Sequence, residues 1–183
     1  MRVLKYAILG LLNRHPMTGY DIAKDFKHEL AEFWHANHSQ IYTELKKLFD
    51  EQLVTFDIEI SGEVLEKKQY SITEAGKEQL LNWLHQDELM SKTAKDPFRV
   101  RMYFCNFLTL DTRIALLNHQ KELHEAKLSK LKKTALQYPT VPQVDSDRFG
   151  DFIILEGAII REKGYIEWCT RCINYCISAQ KSE

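Results

Sequence analysis

Residues 38–50, His38-Ser-Gln-Ile-Tyr-Thr-Glu-Leu-Lys-Lys-Leu-Phe-Asp50, decide the fold. Ile41, Leu45 and Leu48 recur at the spacing of one helical face, which predicts an amphipathic helix whose apolar stripe packs on a core. The other side of this helix is polar at its start and basic one turn later. That order is typical of a helix that reads DNA, because its first residues meet base edges and its cations meet phosphates. The alternative is an ordinary core helix with a solvated face.

Two further helices are predicted before this segment. Residues 3–13 carry apolar side chains at helical spacing, and Pro16 then prevents the helix from continuing. Thr18 is suited to cap a second helix, with Asp21 as the acidic partner of a capping box. We expect the aromatic-rich residues 30–37 to connect the second helix to the third.

Beyond residue 53 the apolar period changes from helical to alternating. Polar residues alternate with Val54, Phe56, Ile58 and Ile60, which predicts a strand with one buried face. A turn at residues 61–63 leads to a second strand up to residue 72, and Thr73 is expected to cap a fourth helix. Three short helices followed by a hairpin predict a winged helix-turn-helix domain over residues 1–88, with the hairpin tip, residues 60–68, along the neighbouring DNA backbone or minor groove.

The remaining residues, 89–183, predict a helical domain. Asp96 and Pro97 begin a short helix to residue 107 that is apolar almost all round, which implies that it is buried. Long helices follow over residues 110–137 and 146–179. The predicted fold class is therefore mainly α with an α+β wing, an N-terminal winged helix-turn-helix followed by a C-terminal helical dimerisation domain.

The long helices carry more apolar surface than one chain can cover. We therefore expect a homodimer formed through residues 110–178. A two-fold partner would also place two reading helices about 34 Å apart, which is one turn of DNA, on a palindromic site.

The composition sets loose bounds on function. The net charge of the 183 residues is −1, and residues 1–85 hold 10 Lys+Arg against 13 Asp+Glu, so DNA binding would rest on local basic patches. No apolar run approaches the ~20 residues that span a bilayer, and no cleavage site follows the apolar start, so we expect a cytoplasmic protein without a membrane partner. The sequence shows no nucleophile–base pairing, phosphate-binding glycine loop or acidic metal cluster, so we expect no enzyme activity and no cofactor.

Three of the four cysteines, Cys169, Cys172 and Cys176, fall on one face of the last predicted helix. They could form a thiol or metal sensor, but no fourth ligand is evident nearby, and cysteine commonly packs as a small apolar residue. We expect no disulfides in a reducing compartment. A predicted turn separates the histidines of the first domain, so we expect no metal site at His28, His35 and His38.

Four motifs occur together and in order: Leu4-Lys-Tyr-Ala-Ile-Leu-Gly-Leu-Leu12, Thr18-Gly-Tyr-Asp-Ile22, Ser39-Gln-Ile-Tyr-Thr-Glu-Leu-Lys-Lys-Leu48 and Tyr70-Ser-Ile-Thr-Glu-Ala-Gly76. With them the chain resembles the PadR family of transcriptional regulators. Lys95-Asp-Pro-Phe98 and Arg161-Glu-Lys-Gly-Tyr-Ile-Glu-Trp168 extend the resemblance over nearly the whole chain. His38-Ser-Gln-Ile-Tyr42 and Leu65-Glu-Lys-Lys68 are most similar to the type that responds to phenolic acids.

The resemblance implies a repressor that binds a palindromic operator in double-stranded DNA. Together with the residue pattern, it points to helix 38–52 and wing 54–72 as the contacting elements. The expected contact residues are Thr18, Tyr20, His38, Ser39, Gln40, Tyr42, Thr43, Lys46, Lys47, Gly62, Lys67 and Lys68.

The resemblance also implies an effector, a small phenolic acid such as p-coumaric or ferulic acid, that binds between the domains and releases the operator. The expected pocket is an aromatic-rich seam of Tyr6, Phe98, Met102, Phe149, Phe152 and Ile153, with Arg101, Arg99 or a nearby His or Tyr facing the carboxylate. These apolar residues could instead be inter-domain core. Two other functions stay open: a similar repressor that senses a different hydrophobic ligand or drug, and a protein-interaction adaptor that uses a winged helix without DNA.

Overall fold

The structure is a computed structural model that describes residues 2–28, 34–61, 65–87, 89 and 95–180. It forms two compact units, residues 1–90 and 91–183. The elements of the first unit are α1 (Val3–Arg14), β1 (Met17–Thr18), α2 (Gly19–His28), α3 (His38–Asp50), β2 (Val54–Ser61), β3 (Leu65–Ile72) and α4 (Glu74–Leu84). Those of the second are α5 (Pro97–Tyr103), a 3-10 turn (Cys105–Phe107), α6 (Leu110–Ala135) and α7 (Asp147–Gln180). Among these helices none combines the length and the apolar character needed to cross a membrane.

The core of the first unit lies between α1, α2, α3 and the sheet. The predicted stripe of α3 is confirmed, because Ile41, Leu45 and Leu48 have no exposed surface. They pack in one cluster with Ile8 of α1 and Phe26 of α2. Burying side chains of this size stabilises the fold by about 2 kcal/mol each, so this cluster is what orients α3.

The sheet has three strands in the order β1-β3-β2, all antiparallel, where the sequence predicted only a hairpin. The missed strand β1 has two residues, Met17 and Thr18, which is too short to show a periodic pattern. Met17 pairs with Tyr70, and Thr18 pairs with Gln69. This pairing ties the start of α2 to the base of the wing.

The hairpin of β2 and β3 packs on the core at its base. Val54 is buried and Phe56 is half-buried, with its ring 4.9 Å from that of Phe49 and 5.7 Å from that of Tyr70. The prediction that Ile58 lies on the buried face is wrong, because 56% of it is exposed. Among the hairpin side chains that the structure describes, the apolar packing ends at Phe56, and the predicted buried position Ile60 lies outside them. The predicted turn at residues 61–63 reaches outside the described residues.

α3 ends in a Schellman motif. The Leu53 amide donates to the Leu48 carbonyl and the Gln52 amide to the Phe49 carbonyl, both at 2.9 Å. Gln52 has a φ of 59°, in the left-handed region where glycine is preferred. The helix therefore ends at Asp50, two residues before the predicted end.

α4 approaches the end of α3 at a glycine. A Cβ atom on Gly76 would lie 2.2 Å from the Leu53 carbonyl oxygen. As predicted, Thr73 caps α4: its Oγ1 accepts a hydrogen bond from the Gly76 amide at 3.1 Å. The Thr73 amide also donates to the Leu53 carbonyl at 3.0 Å. The motif ending in Gly76 thus joins α4 to the turn after α3.

In the second unit, α6 and α7 pack antiparallel along two small apolar clusters. One contains Leu131 and Leu155, and the other contains Leu117 and Cys169. Between the clusters lies a buried carboxylate, Glu162, which is 3% exposed. It hydrogen-bonds the Nδ1 atom of His124, and Lys127 Nζ lies 3.4 Å from it.

The expectation that the helix ending at residue 107 is buried is wrong for the described chain. No residue of α5 is buried, and the aromatic residues after it are exposed, Phe107 by 82%. Asp96 caps α5 through the amides of Phe98 and Arg99, and it accepts a hydrogen bond from the Tyr165 hydroxyl at 3.0 Å. Burial, and then this hydrogen bond, raise the pKa of Tyr165 to about 12. α5 is therefore held on α7 by polar contacts as well as by the packing of Phe98 and Met102.

Candidate nucleic-acid interface

The start of α3 is held by a capping box. Asn37 Oδ1 accepts from the Gln40 amide, and Gln40 Oε1 accepts from the Asn37 amide, both at 2.9 Å. The sequence pattern began this helix at His38 and did not identify Asn37 as its cap, although the Asn-x-x-Gln spacing is a capping signal. Gln40 is therefore anchored through its oxygen, and its side-chain NH₂ group stays available to donate to acceptors on base edges.

Tyr42 joins the starts of α3 and α2. Its ring stacks on His38, with 4.4 Å between the ring centroids. A Cβ atom on Gly19 would lie 2.8 Å from the Tyr42 Cζ atom, so the ring lies directly against the first residue of α2. Sequence reasoning missed this role of Gly19, because the two residues are far apart in the chain. Next to it, Tyr20 is 68% exposed.

The start of α2 is capped as predicted. The Thr18 Oγ1 donates to Asp21 Oδ2 at 2.6 Å, and the same Oγ1 accepts from the Asp21 amide at 3.2 Å. The pairing of Thr18 with Gln69 brings this cap next to Lys68 on β3. Thr18 and Tyr20 therefore lie on the same surface of the first unit as the base of the wing and the start of α3.

The outward side of α3 is polar and then basic, as the sequence predicted. Ser39, Thr43, Lys46 and Lys47 are all exposed. The Thr43 hydroxyl donates to the Ser39 carbonyl at 2.8 Å, which leaves its oxygen able to accept.

Two acidic side chains, Glu44 of α3 and Glu51 at its C-cap, pair with Arg2 and Lys5 at the start of α1. Arg2 Nε donates to Glu44 at 2.9 Å, and Arg2 also bonds Glu51. Lys5 Nζ lies 3.0 Å from Glu51. The hydrogen bond from Arg2 lowers the pKa of Glu51. Because Glu44 and Glu51 are neutralised on the α1 side, the outward side keeps a locally basic character although the unit is acidic.

The wing carries the remaining candidate cations. Lys67 and Lys68 are exposed on β3, and Lys68 Nζ lies 4.1 Å from the centroid of the Phe56 ring. A cation–π contact of this kind holds the Lys68 side chain against the Phe56 ring of the neighbouring strand. Gly62 lies outside the described residues.

The residues that were expected to bind the effector lie in separate parts of the two units. In the first unit, the Tyr6 ring stacks on the Trp83 ring, with 4.6 Å between the ring centroids and an angle of 4° between the ring planes. In the second unit, the Phe98 ring is 6.0 Å from Trp168, whereas the Phe152 ring is 5.7 Å from Tyr138.

Along α7 the positions of Phe152 and Trp168 are about 24 Å apart at the rise of an α-helix. Met102 packs in the same cluster as Phe98. Phe149 and the exposed Ile153 lie beside Phe152 in the sequence of α7, about 24 Å away. A single phenolic acid is far shorter than this span, so within one chain it can touch one of these groups. Arg101 is exposed on α5.

The helix cysteines are free thiols, and Cys169 is fully buried. Burial raises the pKa of Cys169 and of Cys172, which makes both poor nucleophiles. Within the described ranges no group of three or more His, Cys, Asp or Glu side chains is arranged to hold a metal ion.

Comparison with known proteins agrees with this geometry. Residues 8–82 match the model of the transcriptional regulator PadR-like family, and residues 94–176 match that of the virulence activator alpha C-terminal family. The negative transcriptional regulator PadR of Bacillus subtilis is 44% identical over 171 residues, which cover 92% of this chain and 94% of that protein.

Solved structures match over almost the full length. The crystal structure of Bacillus subtilis PadR in complex with operator DNA has a TM-score of 0.92 and 42% identity, and it covers 96% of this chain and 99% of that one. The structure of the same protein in complex with p-coumaric acid has a TM-score of 0.86, 39% identity and the same coverage. The chain belongs to the PadR-like family of transcriptional regulators.

Proposed function

We propose that this protein is a homodimeric transcriptional repressor that binds a palindromic operator and is released from it by a small phenolic acid. The observation that carries the proposal is the outward side of α3, where Ser39, Gln40 and Thr43 precede Lys46 and Lys47. On the other side of the helix, Glu44 and Glu51 pair with Arg2. Its relative at 44% identity is a negative regulator whose structures contain operator DNA and p-coumaric acid. As a regulator of transcription it would act in the cytoplasm, and we propose no catalytic activity.

Specific recognition would come from the capped start of α3. Gln40 would donate from its NH₂ group to a base, while Ser39, Thr43 and Tyr42 would contact bases or adjacent phosphates. His38 would support Tyr42 through the ring stack.

Affinity would come from cations around this centre. Lys46, Lys47, Lys67 and Lys68 would hold phosphates, and Thr18, Tyr20 and the wing residue Gly62 would contact the backbone beside them.

A second copy of the chain is favoured by the apolar surface of α7. Ile154, Ile160 and Tyr175 are exposed in the single chain. Covering such surface in an isologous contact is the commonest way to a closed dimer, and it suits a palindromic operator.

The effector would bind in the second unit or against it. The structure offers two candidate groups that one small ligand cannot bridge within a chain: Phe98, Arg101 and Met102 at one end of α7, and Phe149, Phe152 and Ile153 at the other, with Tyr6 available from the first unit.

The test is a fluorescence-anisotropy titration onto duplex DNA from the gene's own upstream region, with and without p-coumaric acid. A scrambled duplex of equal length and cinnamic acid, which lacks the hydroxyl group, are the controls. Tight operator binding that only the phenolic acid reverses supports the proposal. Binding that the acid leaves unchanged removes the phenolic effector and favours a different hydrophobic ligand, whereas no binding to any palindromic duplex at low salt favours the adaptor.

Two variants test the assignment of residues in the same assay. Lys67→Ala should weaken binding to operator and scrambled DNA alike and reduce the slope of log K against log salt by about one unit. Gln40→Ala should weaken operator binding selectively, so an equal loss on both duplexes would contradict a base-reading role. Because Gln40 also caps α3, Asn37→Ala is the matched control for loss of the cap alone.

A further inference from the structure

The outward side of α3 can meet base edges only if the helix keeps one angle of rotation about its own axis. Successive side chains are about 100° apart around a helix, so a rotation by a few tens of degrees replaces the side chains that face the DNA. Apolar packing is non-directional and does not by itself fix such an angle. The two flanks of α3, between its buried stripe and its outward side, carry more directional contacts.

One flank of α3 carries Tyr42, about 100° around the helix from the fully buried Ile41. The Tyr42 ring lies against the start of α2, since a Cβ atom on Gly19 would be 2.8 Å from its Cζ atom and 2.9 Å from its hydroxyl oxygen. The ring of His38 stacks on the Tyr42 ring. Tyr42 therefore has no room to move toward Gly19, and this contact limits the rotation of α3.

The opposite flank carries Glu44, about 60° from Ile41 in the other direction. Glu44 is 6% exposed, and its Oε1 atom accepts hydrogen bonds from Arg2 Nε at 2.9 Å and from Arg2 Nη2. A buried carboxylate that loses its charged partner is strongly destabilising. Rotation that carries Glu44 away from Arg2 is therefore opposed.

The Arg2 guanidinium also holds α3 at a second point. Its Nη1 atom donates to Glu51, the C-cap residue of α3. Glu51 follows Glu44 by about two helical turns, so both carboxylates lie on the same flank. The guanidinium is a planar fork whose donors have fixed directions, so bonding two separate carboxylates constrains orientation as well as distance.

We propose that Arg2 is a positioning residue for base recognition. Together with the contact of Gly19 and Tyr42 on the other flank, Arg2 sets the rotation of α3 and so decides which side chains reach the bases. The inference rests on the proposed function for the presence of an operator. Arg2 would not contact the DNA itself, so its removal would lower the preference for the operator without removing a phosphate contact.

The experiment is the fluorescence-anisotropy titration of the full-length protein onto operator and scrambled duplexes at several salt concentrations. Arg2→Ala should reduce the ratio of operator to scrambled affinity about tenfold, which is what one good base contact contributes. The slope of log K against log salt should stay that of the wild type, because no phosphate contact is lost. Circular dichroism establishes that each variant is folded under the conditions of the assay.

A double variant separates positioning from a simple change of charge. Arg2→Ala leaves Glu44 and Glu51 without this cation, which would repel DNA of any sequence. Arg2→Ala/Glu44→Ala removes one charge of each sign but still lacks the flank contact, so it should keep the loss of selectivity. Lys77→Ala is the matched control for one lost positive charge, because Lys77 is exposed on α4 and pairs with Glu74, and its selectivity should be that of the wild type.

A conservative variant provides the same test if Arg2→Ala does not fold. Arg2→Lys keeps the charge but replaces the planar fork by a single nitrogen atom. It should show a smaller loss of selectivity than Arg2→Ala, again with the wild-type salt slope.

The outcomes separate this inference from the proposed function. A loss of selectivity that persists in the double variant supports the positioning role. An equal loss on both duplexes with a slope lower by about one unit would make Arg2 a phosphate contact, and recovery in the double variant would make it a shield for Glu44. Either result, or unchanged selectivity in the folded Arg2 variants, overturns the positioning role and leaves the proposed function standing. A wild type that does not prefer the operator removes the proposed function, and the positioning role falls with it.

Discussion

The two units bury their apolar side chains to very different extents. The first has one continuous core, in which Ile41, Leu45 and Leu48 have no exposed surface. The second has two small clusters, no buried residue in α5, and large exposed side chains such as Phe107 and Ile160. The first unit therefore has a continuous core of its own, whereas the helices of the second unit leave apolar surface that a second copy would cover.

Each unit also holds a buried carboxylate between two helices, but with different partners. Glu44 of α3 is 6% exposed and pairs with the always-charged Arg2. Glu162 of α7 is 3% exposed, and its partners are His124 and Lys127 of α6 and Arg161 of α7. The first pair fixes the reading helix, and the second fixes two helices whose apolar contact is small.

The largest expected effect on the free energy of unfolding comes from a substitution in the first unit. Gly76→Ala would place a Cβ atom 2.2 Å from the Leu53 carbonyl, so α4 or the end of α3 must move. We expect a loss of about 3 kcal/mol in the free energy of unfolding, the upper range for overpacking. Urea denaturation measures it. The control in the second unit is Gly157→Ala, which has open space around it and should stabilise by about 0.5–1 kcal/mol. Similar losses in both variants would contradict the comparison.

The incomplete packing of the second unit is tested at Ile160, which is 65% exposed on α7. Ile160→Glu would put a charge into the proposed subunit contact and should raise the dimer Kd about hundredfold, or about 3 kcal/mol. Light scattering across protein concentrations measures this. Thermal unfolding of the variant should lose its dependence on concentration. A dimer as tight as the wild type would place the subunit contact elsewhere.

A smaller loss is expected at the buried carboxylate of the second unit. Glu162→Gln removes the buried charge that faces His124 and Lys127 and should cost about 2 kcal/mol, the range for a hydrogen bond to a charged group. Thermal unfolding followed by circular dichroism measures it. Glu167→Gln is the exposed control on the same helix and should change stability by less than about 0.5 kcal/mol. Equal effects would show that burial of Glu162 has no energetic consequence.

The smallest expected effect is an increase in the stability of the first unit. Gln52 has a φ of 59° at the end of α3, so Gln52→Gly relieves a left-handed conformation. We expect stabilisation by about 1 kcal/mol, with no change in operator affinity because the residue is at the far end of α3 from Ser39. Chemical denaturation and the anisotropy assay measure the two quantities. A destabilised variant would mean that the Gln52 side chain contributes more than its backbone costs.

Local sequence patterns were sufficient for the order of the helices and of the two hairpin strands, and for the side of α3 that faces outward. The period of Ile41, Leu45 and Leu48 specifies a buried stripe, and what is opposite to it must face solvent. Capping at Thr18 and Thr73 was equally readable, because those hydrogen bonds join residues three positions apart. These features depend on contacts within one turn of helix or one strand, which a linear pattern records.

Contacts between distant residues were decided only by the tertiary structure. No local sequence pattern indicates that Arg2 pairs with Glu44, that Gly76 contacts Leu53, or that Gly19 lies against the Tyr42 ring. The same holds for exposure: Ile58 and Phe107 have apolar patterns, but whether they are covered depends on where other layers of the fold end. The effector residues show the limit most clearly, because a shared aromatic character did not reveal that Phe98 and Phe152 pack toward opposite ends of α7. The chemistry of each side chain follows from its residue type. A binding site also depends on the distances between its side chains, and only tertiary packing sets those distances.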